Sequence, residues 1–375
     1  MGEPTVSNRS GDVLRVAFDA GPLHGQRTGI GVAVAETLHA LASEQRIDVE
    51  PYLLSFRSRP GQGVRKLPFP AGLAQRLWAH RSPPVDRLLG RPDVVHGTNY
   101  VVPPTTCPQL VSVYDCWFLD HPDDATPDVR RAASVLRRSV DGGAHVVTCS
   151  DATSQRVRTL LGTDRVTTVL LGLPECPTAD RTWPTALADH AGHPFVLSLG
   201  TVERRKNVPA LVAAFARLAA EHETVRLVIA GAPGNDQAAV DDAIARLTPA
   251  VRSRVVVLGR VDDRLKGRLL SYASALAYMS LDEGFGFPLL EAQQAGVAIV
   301  ASTAGSIPEV AGAAALLSSP TDTDAIAANL HLAITSEPVR AKLRTQATRN
   351  LERFSWADTA RQLTDLYLTL SNESR

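Results

Sequence analysis

Residues 195–220 read FVLSLGTVERRKNVPALVAAFARLAA, and this stretch decides the fold. It opens on an apolar, β-branched run, Phe195–Leu199, which predicts a buried strand. A polar loop at 200–207 follows, and residues 208–220 then repeat their apolar side chains with helical spacing. A strand, a short loop and a helix in this order are the repeating unit of parallel α/β sheets.

The same alternation runs along nearly the whole chain. Before residue 172 it predicts strands at 13–18, 49–54, 94–96, 110–113 and 145–148, and helices at 32–42, 129–138 and 152–160. After residue 194 it predicts strands at 195–199, 226–230, 255–258, 275–279 and 297–301, and helices at 208–220, 238–247, 263–273, 289–295, 325–335, 339–349 and 356–370. The pattern indicates an α/β protein with parallel sheets.

A length of 375 residues favours two domains over one. Residues 172–194 are rich in Pro, Thr and Asp and lack periodicity, so we place a hinge there. The predicted domains are 1–178 and 192–355, two doubly wound units facing across a cleft, followed by a final helix within 356–375. Ligands of such sheets bind at the carboxyl ends of the strands, which predicts a small-molecule site in the cleft.

Composition argues against several other classes of protein. Because 39 Lys and Arg residues balance 39 Asp and Glu residues, we expect no nucleic-acid partner. Residues 1–12 are too polar for a signal peptide, and no run of about 18 apolar residues exists, so we expect a cytoplasmic protein. The four cysteines show no Cys-x-x-Cys spacing, which argues against a zinc or redox site.

The strongest local motif is EGFGFPLLE at residues 283–291, between a predicted strand and a predicted helix. Gly284 and Gly286 carry no Cβ, so the backbone amides of this loop can approach an anion closely. Glu283 and Glu291 bracket the loop, and carboxylates in these places suit acceptance of hydrogen bonds from sugar hydroxyls. A tight turn without a ligand is the alternative explanation of the glycines.

Two shorter motifs follow other predicted strands. The loop GTVERRKN at 200–207 places Arg205 and Lys206 side by side, which suits a diphosphate leaving group; a solvated basic corner is the alternative. The loop TGIG at 28–31 offers Gly29 and Gly31 near a helix start, as in phosphate- or sugar-adjacent loops and also in many loops without ligands. It lacks the third glycine of the dinucleotide fingerprint, which disfavours a nicotinamide cofactor.

Asp322-Thr323-Asp324 has the Asp-x-Asp form of a metal-binding motif. It follows a proline and precedes a predicted helix, however, so helix capping is the better explanation. We therefore expect no metal site and no required divalent ion.

Together these motifs resemble those of the family-4 retaining glycosyltransferases, which adopt the GT-B fold. The resemblance covers most of the chain and includes TGIG at 28–31, DVVHG at 93–97, Ser150, GTVERRKN at 200–207, EGFGFPLLE at 283–291, SIPEV at 306–310 and FSW at 354–356. It implies two Rossmann-like domains, the first for the acceptor and the second for a nucleotide-sugar donor. It also implies that the final helix crosses back to the first domain.

The resemblance assigns roles to particular residues. Arg205 and Lys206 would hold the donor diphosphate, and Glu283 would contact the donor sugar. The ribose hydroxyls would donate to Glu291, and the backbone near Val261 would cradle the base. Two loops would complete the site, through backbone amides of Gly284, Phe285, Gly286 and Phe287 and through the reaction-centre glycines Gly29 and Gly31.

One position departs from the family pattern. Many members read Val-His-Asp where this chain reads Val113-Tyr114-Asp115, so Tyr114 stands in a place assigned to the sugar-binding side of the reaction centre. A phenol, with a pKa of about 10, donates a hydrogen bond but is a poor proton shuttle at neutral pH. Asp115 is retained and can orient an acceptor hydroxyl, whereas His121 is assigned to a local loop.

The motifs are most similar to the mannosyltransferase-like branch of the family. The implied reaction is transfer of an α-mannosyl group from GDP-mannose to a hydroxyl of a glycan or glycolipid, with no further cofactor. UDP-glucose or another nucleotide sugar is the alternative donor. The alternative of another class is a catalytically inactive partner protein that binds a nucleotide sugar.

The segment 56–91 is strongly basic and also contains Phe69, Leu77 and Trp78. Its basic residues are Arg57, Arg59, Arg65, Lys66, Arg76, Arg81, Arg87 and Arg91, against the single acid Asp86. One explanation is a peripheral patch for the inner face of a membrane or for an anionic acceptor. The other is a solvated variable loop region without a partner.

Overall fold

The structure, a computed structural model, describes residues 13–24, 28–56, 63–80, 83–175 and 182–374. These residues form two parallel β-sheets, each covered by helices, which confirms the predicted class of two doubly wound α/β units. None of the described helices is both long enough and apolar enough to cross a membrane.

The first unit lies before residue 176. Its described strands are β1 (Leu14–Asp19), β2 (Ile47–Leu54), β3 (Arg65–Leu67), β4 (Val94–Gly97), β5 (Gln109–Val113), β6 (His145–Thr148) and β7 (Val166–Thr168). Its described helices are α1 (Gly29–Leu41), α2 (Ala71–Trp78), α3 (Trp117–Asp120), α4 (Pro127–Asp141) and α5 (Asp151–Leu161). The strands are parallel and lie in the order β3-β2-β1-β4-β5-β6-β7.

The middle strands of this sheet consist of nearly continuous apolar runs. Val94 and Val95 of β4 and Leu110 and Val111 of β5 are all 0% exposed. Helices cover both faces of a doubly wound sheet, so side chains on both sides of these strands leave water. The sheet is therefore a rigid support for the loops at its carboxyl edge.

The second unit begins with the strand, loop and helix of residues 195–220. Its described strands are β8 (Phe195–Leu199), β9 (Arg226–Ala230), β10 (Val255–Gly259), β11 (Ala275–Tyr278), β12 (Ala298–Ser302) and β13 (Leu316–Ser318). Its described helices are α6 (Val208–Glu221), α7 (Gln237–Ala245), α8 (Pro249–Arg252), α9 (Asp263–Tyr272), α10 (Phe287–Gln294), α11 (Ile307–Ala311), α12 (Thr323–Thr335) and α13 (Glu337–Leu351). The strand order is β10-β9-β8-β11-β12-β13.

The last helix, α14 (Trp356–Glu373), leaves the second unit and packs on the first. Helical spacing places Leu363, Tyr367 and Leu370 on one face, and these side chains are at most 4% exposed. They join the apolar cluster formed by β1, β4 and α1. The helix therefore completes the core of the first unit.

The elements that the sequence does not predict are short. Strands β3, β7 and β13 have three residues each and lie at sheet edges, where polar side chains are tolerated. Three residues cannot display a period, so pattern reasoning has nothing to detect. Among the described residues, the unpredicted α-helices are α2, α3, α8 and α11, and four 3₁₀ helices are unpredicted as well, at Gly21–Leu23, Pro122–Asp124, Thr185–His190 and Arg204–Lys206.

Candidate active site

The loops at the carboxyl edges of the two sheets meet. A Cβ built on Gly284 would lie 1.4 Å from the Tyr114 carbonyl oxygen, so only glycine allows this approach of two backbones. The Gly284 carbonyl accepts a hydrogen bond from Ser150 Oγ at 2.8 Å. Arg204 of the second unit pairs with Asp124 of the first, with 2.6 Å between Nη1 and Oδ1. The cleft between the units is therefore bridged.

The two predicted cations lie in the loop between β8 and α6. A 3₁₀ turn at Arg204–Lys206 leads into Asn207, whose φ of 54° is left-handed. The Asn207 amide donates to the carbonyl oxygens of Met279 at 3.2 Å and Pro320 at 2.8 Å. These bonds fix the cationic loop beside the segment that follows β11.

Both cations bind the Glu283 carboxylate. Arg205 Nη1 lies 2.7 Å from Glu283 Oε2, and Lys206 Nζ donates to Oε1. Ser280 Oγ donates to the same Oε1 at 2.7 Å. Lys206 Nζ also donates to the Tyr278 hydroxyl at 2.9 Å and lies 4.7 Å from the centroid of that ring. The structure thus brings three of the predicted residues into one cluster.

The protonation of this cluster follows from its charges. Burial alone would raise the pKa of Glu283, but Arg205 and Lys206 outweigh it and lower that pKa to about 2. Burial lowers the pKa of Lys206, and the neighbouring Glu283 opposes that shift. Glu283 is therefore a carboxylate at neutral pH and acts as the counter-ion of two cations. A diphosphate carries more negative charge than a carboxylate and is a natural competitor for them.

The loop that leads into α10 presents backbone amides. Gly286 has a φ of 97°, which favours glycine. Among the described residues, the N–H groups of Gly284, Phe285 and Gly286 find no acceptor. Pro288, in the first turn of α10, has no N–H to satisfy. Free amides at a helix N-terminus favour an anion or a hydroxyl oxygen as ligand.

Glu291 lies one turn into α10 and is 5% exposed. Lys266 Nζ of α9 donates to its Oε1 at 2.7 Å, which holds one carboxylate oxygen and leaves the other for a hydroxyl ligand. Val261 precedes α9 and packs partly buried against the apolar core of the second unit. That these residues form a ribose and base site stays a prediction.

Gly29 and Gly31 open α1 on the opposite side of the cleft. Thr28 caps the helix, since its Oγ1 accepts a hydrogen bond from the Gly31 amide at 3.3 Å. A Cβ on Gly29 would lie 4.0 Å from the Phe287 ring. The structure therefore brings the TGIG loop next to the EGFGF loop, although the two are far apart in sequence.

Asp115 follows β5 at the same edge. Its Oδ1 accepts from the Trp117 amide at 3.2 Å, and the Tyr100 hydroxyl lies 3.4 Å from its Oδ2. Burial raises the pKa of this carboxyl above the usual value, and the charge of Arg205 partly offsets the rise. The Asp115 carboxylate therefore interacts electrostatically with Arg205 in the loop of the other unit.

The side chain of Tyr114 is half-buried and packs against an apolar cluster to which both units contribute. Tyr114 lines a small cavity of about 20 Å³ together with His96, Ser112 and Cys149. Burial raises the pKa of the phenol further above its usual value, so Tyr114 is neutral at physiological pH. The backbone of Tyr114 takes part in the cleft through the close approach of its carbonyl to Gly284, and a role of the phenol at the reaction centre stays a prediction.

Sequence reasoning missed Asp19, which ends β1 at the same edge of the sheet. Its carboxylate accepts hydrogen bonds from the Gly21 amide at 2.9 Å and from Thr98 Oγ1 at 3.1 Å. Burial raises its pKa to about 6. An acidic residue at the carboxyl end of a central strand is the signal that could have found it. Ser280 and Lys266 offer no such signal, because they matter only through partners in other motifs.

Among the described residues, one group of side chains could hold a metal ion. It consists of Glu221, His222 and His331, whose ligand atoms lie within 4.8 Å of one another on the α6–α12 face. Asp322 instead caps α12, since its Oδ1 accepts from the Ala325 amide at 2.9 Å, which confirms the capping explanation. That the reaction requires no divalent ion stays a prediction.

Comparison with known proteins adds a family and a fold. Residues 181–350 match the family model described as "Glycosyl transferases group 1". O-antigen chain mannosyltransferase B of Escherichia coli is 28% identical over 286 residues, which cover 74% of each chain. Alpha-maltose-1-phosphate synthase of Mycolicibacterium smegmatis is 33% identical over 258 residues, 63% of this chain and 66% of that protein. The solved structure of sucrose-phosphate synthase from Thermosynechococcus elongatus superposes with a TM-score of 0.70 at 16% identity, over 95% of this chain and 99% of that chain.

The family model and the superposed structure cover different parts of the chain. Because the sequence identity to sucrose-phosphate synthase is low, the superposition shows only the fold, over nearly the whole chain. The family match spans the unit that holds Arg205, Lys206, Glu283 and Glu291. The chain is therefore a glycosyltransferase of the GT-B fold, with a group 1 glycosyl transferases domain in its second unit.

Proposed function

We propose that this glycosyltransferase moves an α-mannosyl group from GDP-mannose to a hydroxyl of a glycan or glycolipid, with retention of configuration. Two observations support the mannosyl donor. The motifs resemble the mannosyltransferase-like branch of family 4, and an O-antigen chain mannosyltransferase is 28% identical. We further propose that the reaction takes place in the cytoplasm and needs neither a metal ion nor another cofactor.

The pairing of Arg205 and Lys206 with Glu283 carries the proposal. Two cations share one carboxylate that is 7% exposed, beside a loop whose backbone amides find no acceptor in the part of the chain that the structure describes. A nucleotide diphosphate would replace Glu283 as the partner of both cations. The released carboxylate would then accept hydrogen bonds from the hydroxyls of the donor sugar, which suits an acceptor-only group.

Each residue then acts on a different part of the reaction. The bond from the sugar C1 to the diphosphate oxygen breaks while the acceptor hydroxyl oxygen bonds to the same face of C1. The departing phosphate oxygen takes the acceptor proton, so no protein base is required. Arg205 and Lys206 stabilise the charge that grows on the diphosphate. Glu291 holds the ribose, and Asp115 orients the acceptor hydroxyl.

Two alternatives remain distinct from this proposal. UDP-glucose or another nucleotide sugar is the alternative donor, and a relative with a maltosyl product at 33% identity keeps it open. An inactive nucleotide-sugar-binding partner is the alternative of another class, and Tyr114 is its support. The clustered Arg205, Lys206 and Glu283 speak against a decayed site.

A donor screen tests the proposal. Purified protein with EDTA is given GDP-mannose, UDP-glucose and other nucleotide sugars in turn, and both hydrolysis and transfer to oligosaccharide or lipid acceptors are followed. We expect selective consumption of GDP-mannose. Consumption of another sugar nucleotide would show that GDP-mannose is not the donor. Activity only after addition of a divalent ion would overturn the proposed metal independence. Binding without turnover for every acceptor would favour the inactive partner protein.

We also propose that helix α2 and its surroundings contact an anionic membrane or acceptor surface. Leu73 and Leu77 lie on one face of α2 and are 53% and 55% exposed, and Phe69 before the helix is 37% exposed. Trp78 departs from the expected patch, because it is buried in the core at 6% exposure. Arg57, Arg59 and Arg81 lie outside the described residues. Co-sedimentation should show binding to vesicles with anionic lipid, weakened in Leu73→Ser/Leu77→Ser, and equal binding to neutral vesicles would contradict it.

A further inference from the structure

The loop of residues 283–287, which we call the donor loop because we propose that it binds the donor, is held by the first unit of the molecule. Ser150 Oγ, at the end of β6, donates to the Gly284 carbonyl at 2.8 Å. Glu309 of α11 reaches the start of α5, where its Oε1 accepts from the Asp151 amide at 2.9 Å and its Oε2 from the Ala152 amide at 3.1 Å. These contacts involve Ser150 and the SIPEV motif, two sequence features to which the proposed reaction gives no role.

Helix α11 and the donor loop are bonded to each other. The Ser306 amide donates to the Glu283 carbonyl at 2.9 Å, and Ser306 Oγ donates to the Phe285 carbonyl at 3.2 Å. Ser306 is 0% exposed, so these bonds are shielded from water. By bonding to the start of α5, Glu309 therefore also fixes the position of the loop of residues 283–287.

The start of α5 suits this attachment. The first amides of a helix have no partner within it, and the helix dipole favours a carboxylate in that place. Ser150 caps the third amide of α5, since its Oγ accepts from the Thr153 N–H at 3.2 Å. The two preceding amides are capped by Glu309 from across the cleft. The Asp151 carboxylate is engaged elsewhere, by Thr168 Oγ1 at 2.6 Å.

We infer that Glu309 is a positioning residue, and that its two bonds to the start of α5 form an interdomain latch. The latch holds the loop of residues 283–287 against the acceptor unit during transfer. Its catalytic consequence rests on the proposed function. Because the diphosphate, ribose and base contacts all lie within the second unit, breaking the latch should lower turnover and leave nucleotide affinity unchanged.

The pair Asp151→Pro and Asp151→Ala isolates one bond of the latch. Proline suits the first position of a helix and removes only the N–H from which Glu309 Oε1 accepts a hydrogen bond. Ser150 already has the extended backbone that a residue before proline requires. Alanine removes the same side chain and keeps the N–H. We expect kcat of Asp151→Pro to be about threefold or more below that of Asp151→Ala, since positioning errors act on turnover. The Kd of GDP or UDP, by calorimetry, should be equal in the two.

Glu309→Ala removes both acceptors and should have the larger effect. We expect kcat at least about tenfold below wild type with nucleotide affinity retained. Glu337→Ala is the matched control, because Glu337 also opens a helix but is exposed and pairs with Arg340 within its own unit. It should leave kcat unchanged.

Small-angle scattering gives a readout that does not depend on turnover. Glu309→Ala and Asp151→Pro should have a larger radius of gyration than wild type, Glu337→Ala and Asp151→Ala. If no donor is turned over by wild type, the proposed function fails and the scattering still tests the latch. The inference would be overturned if Asp151→Pro and Asp151→Ala had the same radius of gyration and the same kcat, and if Glu309→Ala had the radius of gyration and kcat of wild type.

Discussion

In the function that we propose, the Glu283 carboxylate has two alternative sets of partners, the two cations and the hydroxyls of the donor sugar. Removing one partner from a buried ion pair typically costs about 3–5 kcal/mol, because an uncompensated charge is left behind. Glu283 is 7% exposed and is satisfied by Arg205, Lys206 and Ser280. When a diphosphate takes over the cations, the hydroxyls of the sugar can replace them as donors to Glu283. The charges of Arg205 and Lys206 are thus balanced by the carboxylate that we propose for sugar recognition.

Lys206→Ala removes one of the two charges proposed to stabilise the leaving diphosphate. We expect turnover to fall by at least about 10²-fold, the scale for losing one such stabiliser. Lys342→Ala, at an exposed position on α13, is the control and should keep wild-type turnover. Steady-state assays with the donor that wild type consumes decide the matter, and near-normal turnover of Lys206→Ala would falsify the diphosphate assignment.

Asp19 gives the protein a pH dependence that can be measured without substrate. Its folded pKa of about 6 lies above the usual 3.8, because burial disfavours the charged form. The folded state therefore binds more protons than the unfolded state between these values. The stability contribution of Asp19 is present at low pH and is lost as the pH rises through 6. Above that pH its ionisation costs roughly 3 kcal/mol.

Asp19→Asn removes this ionisation. The free energy of unfolding of Asp19→Asn relative to wild type should therefore increase by about 1 kcal/mol between pH 5 and pH 8. Urea unfolding at the two pH values measures it, and hydrogen-bond changes from the amide cancel because they are the same at both. A difference that does not change with pH would mean that Asp19 titrates normally.

At the scale of elements, the sequence predicts the helices and strands whose apolar residues recur with a regular period. It misses the elements that are too short to show one. Helix α6 is predicted at 208–220 and spans Val208–Glu221, since its apolar residues recur with helical spacing and a proline marks its first turn. Strands β3 and β13 have three residues each. They exist because a neighbouring strand offers hydrogen-bond partners, and a single segment carries no signal of its neighbour.

The candidate site divides in the same way. Its motifs are visible in the sequence, but Arg205 and Glu283 are 78 residues apart and nothing in either loop indicates that they pair. Gly284 is predicted to make room for an anion, and the structure shows that it also makes room for the Tyr114 carbonyl.

Helix α14 contributes a buried polar contact that we expect to matter for stability. The Tyr367 hydroxyl lies 2.7 Å from His96 Nδ1, and His96 Nε2 lies 2.8 Å from Ser112 Oγ. Burial lowers the pKa of His96 to about 3, so the imidazole is neutral in this contact. Tyr367→Phe leaves a buried ring nitrogen without a partner, which should cost about 1–3 kcal/mol.

Urea unfolding checks this value. Arg361→Ala on the exposed side of α14 is the control and should change the free energy of unfolding by less than about 0.5 kcal/mol. If Tyr367→Phe falls within the same range as the control, the hydroxyl does not stabilise the helix on the sheet, and packing of Leu363 and Leu370 alone holds α14 in place.

At the scale of the whole molecule, α14 couples the two units. Its first residue, Trp356, lies with its ring centroid 6.4 Å from that of Phe287 in the donor loop. Trp356 Nε1 donates to the Leu173 carbonyl at 2.7 Å, where the chain leaves the first unit. The rest of the helix is buried against β1, β4 and α1. A disturbance at Trp356 should therefore reach both the core of the first unit and the active-site loop of the second.

Gly172 is the position where this crossing is tightest. A Cβ there would lie 2.4 Å from Trp356 Cγ and 2.5 Å from its backbone nitrogen, so Gly172→Ala must displace the start of α14. We expect a loss of about 1–3 kcal/mol, the usual cost of overpacking, together with lower turnover because Phe287 loses its neighbour. Gly72→Ala is the control, since among the described residues its Cβ meets only Arg131 Nη2, at 3.7 Å, and alanine favours helix α2 by about 0.5–1 kcal/mol. Calorimetry should show Tm lowered in the first and raised in the second, and an unchanged Tm in Gly172→Ala would mean that α14 can shift on the first unit without cost.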